Sequence, residues 1–309
     1  MSRSKRLVSI IRRDGAISRA IRLASVVALK AIPINPRTEG WVAWLMFLRA
    51  HGRVPDVKRR LYNDYLYSLK ITGALGDPLR VFVTDKEYSK IFVNSVVGER
   101  YVMPTLAVLR SEEEIRNYEF PKSCAIKGTH GSGQYIIRRA GEAVDIEKVV
   151  HWLRVDYYAL SAERNYLTLK PKVIVEPLAE FGGRITELYI HCYRGEPRVI
   201  RVILNRFTEP HLNVFDCEWR PTGISYLGRN TSIDIPCPKA LPEILRVARD
   251  IAAHFESIRV DVYVSDDRIW VGELTNCQSS AGLVFDSDNG EEVFSNLYFG
   301  PTGVCADRK

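Results

Sequence analysis

Three observations predict a mixed α+β fold in preference to a doubly wound parallel sheet. Apolar residues recur at spacings of three and four in two runs, residues 41–75 and 85–97, which is the helical period. From Cys124 onward the pattern changes to short strand-like runs joined by turns, with helices scattered between them. No GxGxxG opens a βαβ unit, which argues against a dinucleotide-binding domain.

The elements follow in order. Residues 1–40 form a basic arm predicted to be one or two amphipathic helices, ended by Pro33, Pro36 and Gly40. Arg19, Arg22 and Lys30 interrupt its apolar run, so Leu23–Leu29 is far short of the ~20 residues of a membrane span. The arm fits packing on the body, lying on an anionic membrane surface, or remaining flexible. Gly73, Gly76 and Pro78 break the first helical run, and Thr84 or Asp85 caps the next, which Gly98 stops. Residues 101–110 read as extended, and Ser111 opens a short helix with Glu114 completing a capping box. Cys124–Lys127 and Gln134–Arg139 are strands around a glycine loop, Asp145–Tyr158 a helix, and Lys172–Glu176 a strand closed by Pro177. Residues 184–193 and 197–204 pair across Arg194-Gly195-Glu196. Pro242–Phe255 is a helix, residues 258–264 and 268–274 are a final hairpin, and the tail after Gly282 is mixed.

Composition excludes whole classes. At 309 residues, 46% apolar and 26% charged, the chain can bury a sizeable core. The net charge of +7 lies in residues 1–40, which hold nine basic and two acidic side chains; the rest is balanced at 35 of each. A basic nucleic-acid-binding face is therefore not expected. The six cysteines show no CxxC pairing, which suits a reduced, cytoplasmic chain. There is no HExxH, no zinc spacing and no GxSxG elbow.

Three stretches can carry chemistry. In CAIKGTHGSGQYIIRR, Lys127 precedes Gly128, His130, Gly131, Ser132 and Gly133. Glycines let backbone N–H groups approach an anion, with a lysine beside them. The order is not that of a Walker loop, and a plain hairpin fits the stretch equally. Second, Arg259 and Asp261 share a strand face, and Glu273 lies on the partner strand. Carboxylates meeting across a hairpin repel unless a cation separates them. Mg2+ with phosphate oxygens would serve, and so would a structural pair with Arg259. Third, VIVEPLAE (173–180) ends a strand at Glu176-Pro177 and fits a linker between lobes.

Together these pieces resemble the TupA-like ATP-grasp family of bacterial surface polysaccharide biosynthesis. The residues that carry the resemblance are VTDKEYSKIFVNSVVGERYVMPTLAVL (83–109), FPKSCAIKGTHGSGQYIIRR (120–139), KPKVIVEPLAE (170–180), LYIHCYRGEPRVIRV (188–202), NRFTEPHLNVFDCEW (205–219) and IRVDVYVSDDRIWVGELT (258–275). The resemblance implies an ATP-grasp fold, with the nucleotide held between two α+β lobes behind a helical N-terminal region. It implies an organisation of residues 1–40 as the arm, 41–110 as a helical region, 111–175 and 181–309 as lobes, and 176–180 as a hinge. Lys86 and Lys127 then face ATP, and residues Gly128–Gly133 cover its phosphates. Glu176, Pro177 and Leu178 meet the adenine and Glu180 the ribose. Asp261 and Glu273, completed by Thr275 or Asn276, hold Mg2+, and Arg259 steadies the transferred phosphoryl group.

The activity implied is that of an ATP-dependent carboxylate–amine ligase. It works through an acyl phosphate on a carboxylate-bearing glycan or its precursor, with an amine as second substrate. The expected location is the cytoplasm, with peripheral contact to the inner membrane surface through residues 1–40 as a further expectation. A sugar kinase on the same scaffold and a degenerate scaffold protein are the alternatives. The family tends to have a lysine where this chain has Tyr189, within Glu187-Leu188-Tyr189. That departure motivates the scaffold reading. Arg184, Arg198, Arg201 and Arg206 are candidates to face an anionic substrate or are solvated strand-edge charges.

Overall fold

The computed structural model describes residues 15–178, 186–205, 209–265 and 268–300. The chain begins with α1 (Ala16–Ala31), α2 (Glu39–His51) and α3 (Tyr62–Ile71). Next come α4 (Pro78–Thr84) and α5 (Lys86–Val97). Helix α4 corrects the sequence reading, which took Pro78 for a breaker. Asp77 accepts hydrogen bonds from the Leu79 and Arg80 amides, and Pro78 occupies the first turn, where its missing N–H costs nothing. Of the two caps expected for α5, Asp85 serves, accepting from the Glu87 amide at 2.9 Å.

The first sheet is built from β1 (Ala107–Leu109), β2 (Cys124–Gly128), β3 (Tyr135–Arg138) and β4 (Val173–Pro177), in the order β1-β4-β2-β3. Helices α6 (Glu112–Asn117), α7 (Ile146–Trp152) and α8 (Tyr158–Ser161) lie between these strands in the chain. The single helix expected over Asp145–Tyr158 is two. Its chain turns at Leu153–Val155, and the Asp156 carboxylate accepts from the Ala159 amide to start α8 afresh. Cys124, Ile126, Val173 and Val175 face a core shared with Ile115 of α6 and Val149, Val150 and Trp152 of α7. Ala125, Lys127, Ile174 and Glu176 take the opposite face.

The second sheet holds β5 (Thr186–Tyr193), β6 (Glu196–Leu204), β7 (His211–Phe215), β8 (Ser257–Val264) and β9 (Ile269–Thr275), in the order β7-β6-β5-β8-β9. All pairs in both sheets are antiparallel, in keeping with the α+β expectation. Leu188, Ile190, Val202, Val260 and Val262 point to one side. There they pack under α9 (Leu241–Ala252), which contributes Ile244, Val247, Ala248 and Ile251. Helix α10 (Gly290–Phe299), unforeseen in the tail, closes a second core on the other side. There Phe294 and Tyr298 meet Phe47, Tyr62, Tyr193 and Val199. Cys124, Cys192, Cys217, Cys237 and Cys277 are free thiols.

One buried acid ties the helices to the end of β9. Glu163 is 4% exposed, close to Lys70, whose ammonium donates to the Ser161 carbonyl and the Ser280 hydroxyl. Burial pushes the Glu163 carboxyl up to about 7, although Lys70 opposes the shift. A raised acid holds its proton when folded and gives it up when unfolded. Its stabilisation is complete below the ordinary value of 4.5 and is lost as pH rises to about 7. The whole difference amounts to roughly 3 kcal/mol. Glu163→Gln is therefore expected to match wild type near pH 5 in urea melts and to exceed it near pH 8. Parallel pH profiles would show that Glu163 titrates normally.

Candidate functional site

The site lies where the two sheets approach, and a defect in strand pairing composes half of it. Along β9, Ile269 and Val271 face the apolar core. Strict alternation would send Glu273 the same way. Instead the β8–β9 register shifts: Val262 pairs with Val271 but Asp261 pairs with Glu273, leaving Gly272 as an extra residue. This bulge moves Leu274 into the core and turns Glu273 to the face of Asp261. A glycine is needed, because a Cβ at position 272 would lie 2.3 Å from the Tyr263 ring. Thr275 pairs with Arg259, one step further along the same face.

That face is a ladder of charge. Arg259 grips Asp261 with two hydrogen bonds of 2.6 Å. Burial pushes the Asp261 carboxyl up to about 6 despite this grip, and the neighbouring Glu273 and Glu187 carboxylates add to the shift. Glu273 behaves differently. Burial would raise it, but Lys86, Arg259 and Lys127 together hold it below the usual range. The Arg259 guanidinium also lies 4.5 Å from the centre of the Tyr189 ring, and Arg201 lies 5.8 Å from it. Tyr189 thus sits between two arginines, and its hydroxyl donates to Glu187 at 3.1 Å. Arg198 is elsewhere, beside Gly300.

The opposing wall comes from α5 and the first sheet. Lys127 projects from β2 to Glu176 of β4, with its Nζ 2.6 Å from Oε2. Lys90, one turn beyond Lys86 on α5, takes the other oxygen of Glu176 at 2.6 Å. Burial works against the Lys127 charge, but Glu176 more than offsets it, and the ammonium pKa is raised. For Lys90 burial prevails and its pKa is lowered. Glu176 is itself desolvated, yet the two ammonium groups hold it below the usual carboxylate range. Two cations sharing one anion leave net positive charge on this wall, which fits a phosphate chain.

Lys86 joins the walls. Its ammonium donates to the Gly131 carbonyl at 2.8 Å and lies 3.5 Å from Glu273. Its backbone amide donates to the Thr129 carbonyl at 3.2 Å, which fixes the N-terminus of α5 against the glycine loop. Lys172 steadies the same turn by bridging Asp85 and Glu87 at 3.0 and 2.5 Å. A second contact between the walls places Lys127 Nζ 5.7 Å from the centre of the Tyr263 ring.

The loop itself is held by its neighbours. A Cβ at Gly128 would lie 2.2 Å from the Gln134 carboxamide oxygen, and one at Gly131 would lie 3.0 Å from the Tyr157 ring. Gly133 has a φ of 80°, open to glycine at no steric cost. Ser132 is exposed. The His130 ring is turned inward, 3% exposed, and its Nε2–H donates to the Trp152 carbonyl at 3.0 Å. Burial lowers its pKa, so it is a neutral anchor of the loop.

The structure therefore gathers Lys86, Lys127, Asp261 and Glu273 into one site, with Arg259 and Thr275 beside them. It does not bring Asn276 there. The Asn276 carboxamide accepts from Arg80 at 3.0 Å and donates to the Arg80 carbonyl and Thr84 hydroxyl, all in α4. Pro177 and Leu178 are half-buried at the end of β4, and Glu180 lies outside the described residues. So do Arg184 and Arg206. Sequence reasoning missed Lys90, Lys172 and Glu187. Lys90 had a signal, since four residues after Lys86 on a helix means the same face.

Among the described residues no cluster of three His, Cys, Asp or Glu side chains could hold a metal ion. Asp261 and Glu273 alone are a fitting donor set for Mg2+, which takes one or two carboxylates and completes its shell with phosphate and water. Glu176→Gln is expected to strand two partly buried ammonium groups and to lower stability by roughly 3 kcal/mol, measured by denaturant titration. An unchanged midpoint would mean that solvent already pays for both charges.

No protein of curated function matches the sequence significantly. A D-alanine–D-alanine ligase from Helicobacter pylori is 14% identical with a TM-score of 0.41, over 71% of this chain and 60% of its own. An L-amino acid ligase from Bacillus licheniformis is 14% identical with a TM-score of 0.42, over 70% of this chain and 49% of its own. A D-alanine–D-alanine ligase from Bacillus anthracis, solved with ATP, is 15% identical with a TM-score of 0.36, over 68% and 60%. The matched region spans no more than 60% of the length of these three. The model of the TupA-like ATP-grasp family matches residues 69–295, a span that holds every residue of both walls, and the chain belongs to that family.

Proposed function

We propose that the protein is an ATP-dependent ligase that joins a carboxylate to an amine through an acyl phosphate. The observation that carries this is the facing of three lysines on α5 and β2 with two carboxylates on β8 and β9, linked by Lys86. Such a cleft complements a polyphosphate on one wall and its counter-cation on the other. This reaction needs no side-chain nucleophile with a base to activate it.

In this reading Lys127 and Lys86 bind phosphate oxygens, and the loop Gly128–Gly133 presents backbone N–H groups to them. Lys90 keeps Glu176 engaged when Lys127 turns to the nucleotide. The backbone of Glu176–Leu178 meets the base, and Glu180 is proposed for the ribose. Asp261 and Glu273, with Thr275 beside them, would hold Mg2+, which when bound offsets charge on the transferring group. Arg259 lies next to these acids and is placed to steady the phosphoryl oxygens.

A substrate carboxylate oxygen bonds to the γ-phosphorus while the bond to the ADP oxygen breaks. The amine nitrogen then bonds to the acyl carbon, phosphate leaves with the electron pair, and the amine loses a proton. Closure of 111–175 on 181–309 about the 176–180 segment would exclude water from the acyl phosphate. The family's setting suggests a carboxylate-bearing glycan or its precursor. Arg201 flanks Tyr189 on the same face but is 5% exposed and donates to the Leu227 carbonyl at 3.2 Å, so it is not a solvated strand-edge charge.

Calorimetry with ATP, with and without Mg2+, tests the nucleotide site. Lys127→Ala and Glu273→Gln are each expected to weaken Mg·ATP binding about tenfold or more, as for a lost charge-assisted contact of roughly 1.5–3 kcal/mol. Wild type that binds no ATP would end the proposal. ADP release in the presence of a carboxylate should require an amine. Release with an alcohol alone would point to a kinase.

A further inference from the structure

Helix α1 is apolar on two sides. Its inward side holds the buried Arg22 and Ser25, 6% and 1% exposed, with half-buried Ile21, Val26 and Leu29 around them. Ile17, Leu23 and Val27 are 78%, 69% and 65% exposed. The outward face reads Ile17, Ala20, Leu23, Ala24 and Val27, all at helical spacing. A soluble amphipathic helix keeps such a second stripe polar.

Specific contacts set which side of α1 turns inward. Arg22 donates to the Arg49 carbonyl at 2.7 Å and to the Ala50 carbonyl, two of the last carbonyls of α2. Ser25 donates to the Arg22 carbonyl at 2.7 Å. Gly52 ends α2 in the left-handed region, and a Cβ there would lie 2.9 Å from Ser18. Arg22 is thus committed to α2, which leaves the stripe of Ile17, Leu23 and Val27 facing outward. At the other end of the helical hairpin, Trp41 of α2 is 67% exposed.

Charge indicates what covers this face. Arg19 and Lys30 lie beside it and are exposed. The two acids of residues 1–40 are Asp14 and Glu39. Glu39 is buried and engaged by Tyr158 and Arg164. A second copy of the chain would bring the same excess of positive charge to the interface, which disfavours it. An apolar stripe with basic flanks and an exposed tryptophan matches the boundary of an anionic bilayer. No helix among the described residues is long and apolar enough to cross a membrane.

We propose that the outward face of α1, with Trp41 and the basic residues around it, docks the protein on an anionic lipid surface. The test is flotation of the full chain with vesicles of phosphatidylcholine alone or with added phosphatidylglycerol. Wild type is expected to float with the anionic vesicles, to be released by salt, and to ignore neutral ones. Leu23→Glu/Val27→Glu is expected to bind about tenfold less, since each carboxylate would enter the apolar boundary. Both positions are exposed, so its melting curve and Mg·ATP binding should stay unchanged. Leu23→Ser/Val27→Ser serves if the double glutamate variant misfolds. Equal flotation of wild type and variant would overturn the proposal, as would failure of wild type to float with anionic vesicles. A wild-type dimer that the variant dissociates, without lipid binding, would assign the face to a second copy instead.

Discussion

The site depends on one extra residue. Gly272 interrupts the alternation of β9, and without that interruption Glu273 would point into the aliphatic core beneath α9. A carboxylate there would be buried among valines and isoleucines at a cost no nearby charge could offset. With the bulge, Glu273 stands opposite Asp261 and within reach of Lys86. The ring of Tyr263 fills the space that the glycine leaves, so the irregularity is packed and not merely tolerated. The same ring approaches Lys127 and gives the bulge a second task in spacing the walls.

Across this spacing the protein balances its own charges. Arg259 satisfies Asp261, Lys86 reaches Glu273, and Lys127 and Lys90 share Glu176. Each group keeps a partner in a partly buried cleft, from Glu176 at 5% side-chain exposure to Glu273 at 38%, and the buried ones would be costly alone. For a polyphosphate with its cation, binding is then an exchange of partners. In the proposed reading lysines would pass from carboxylate or carbonyl to phosphate, and carboxylates from lysine or arginine to metal. Such an exchange would replace one set of charge pairs by another and so need little new desolvation.

Much of this was legible in the sequence. The glycine loop, the strand ending at Glu176 and the Arg259–Asp261 strand were set by short-range patterns, and family membership bears out the fold. The bulge had its signal, a glycine inside a strand, but a bulge flips parity only when both strands are known. The α4 helix was hidden because proline reads as a breaker unless its capping Asp77 is weighed with it. The family resemblance offers Asn276 as a shell residue, yet its carboxamide is engaged by Arg80 and Thr84 of α4. The role of His130 was equally illegible, since which way a loop histidine turns depends on the carbonyl of a helix twenty residues on.

Arg22 lies on α1 but completes α2, whose opposite side packs through Ala43 and Phe47 into the core shared with Tyr193, Val199 and Val214. Contacts thus run from the outermost helix to β5, β6 and β7, the sheet that also carries Arg259 and Asp261. A surface that held the hairpin would bear on that sheet through them. The mouth between Lys86 and Glu273 would then keep a heading relative to substrates confined to a plane.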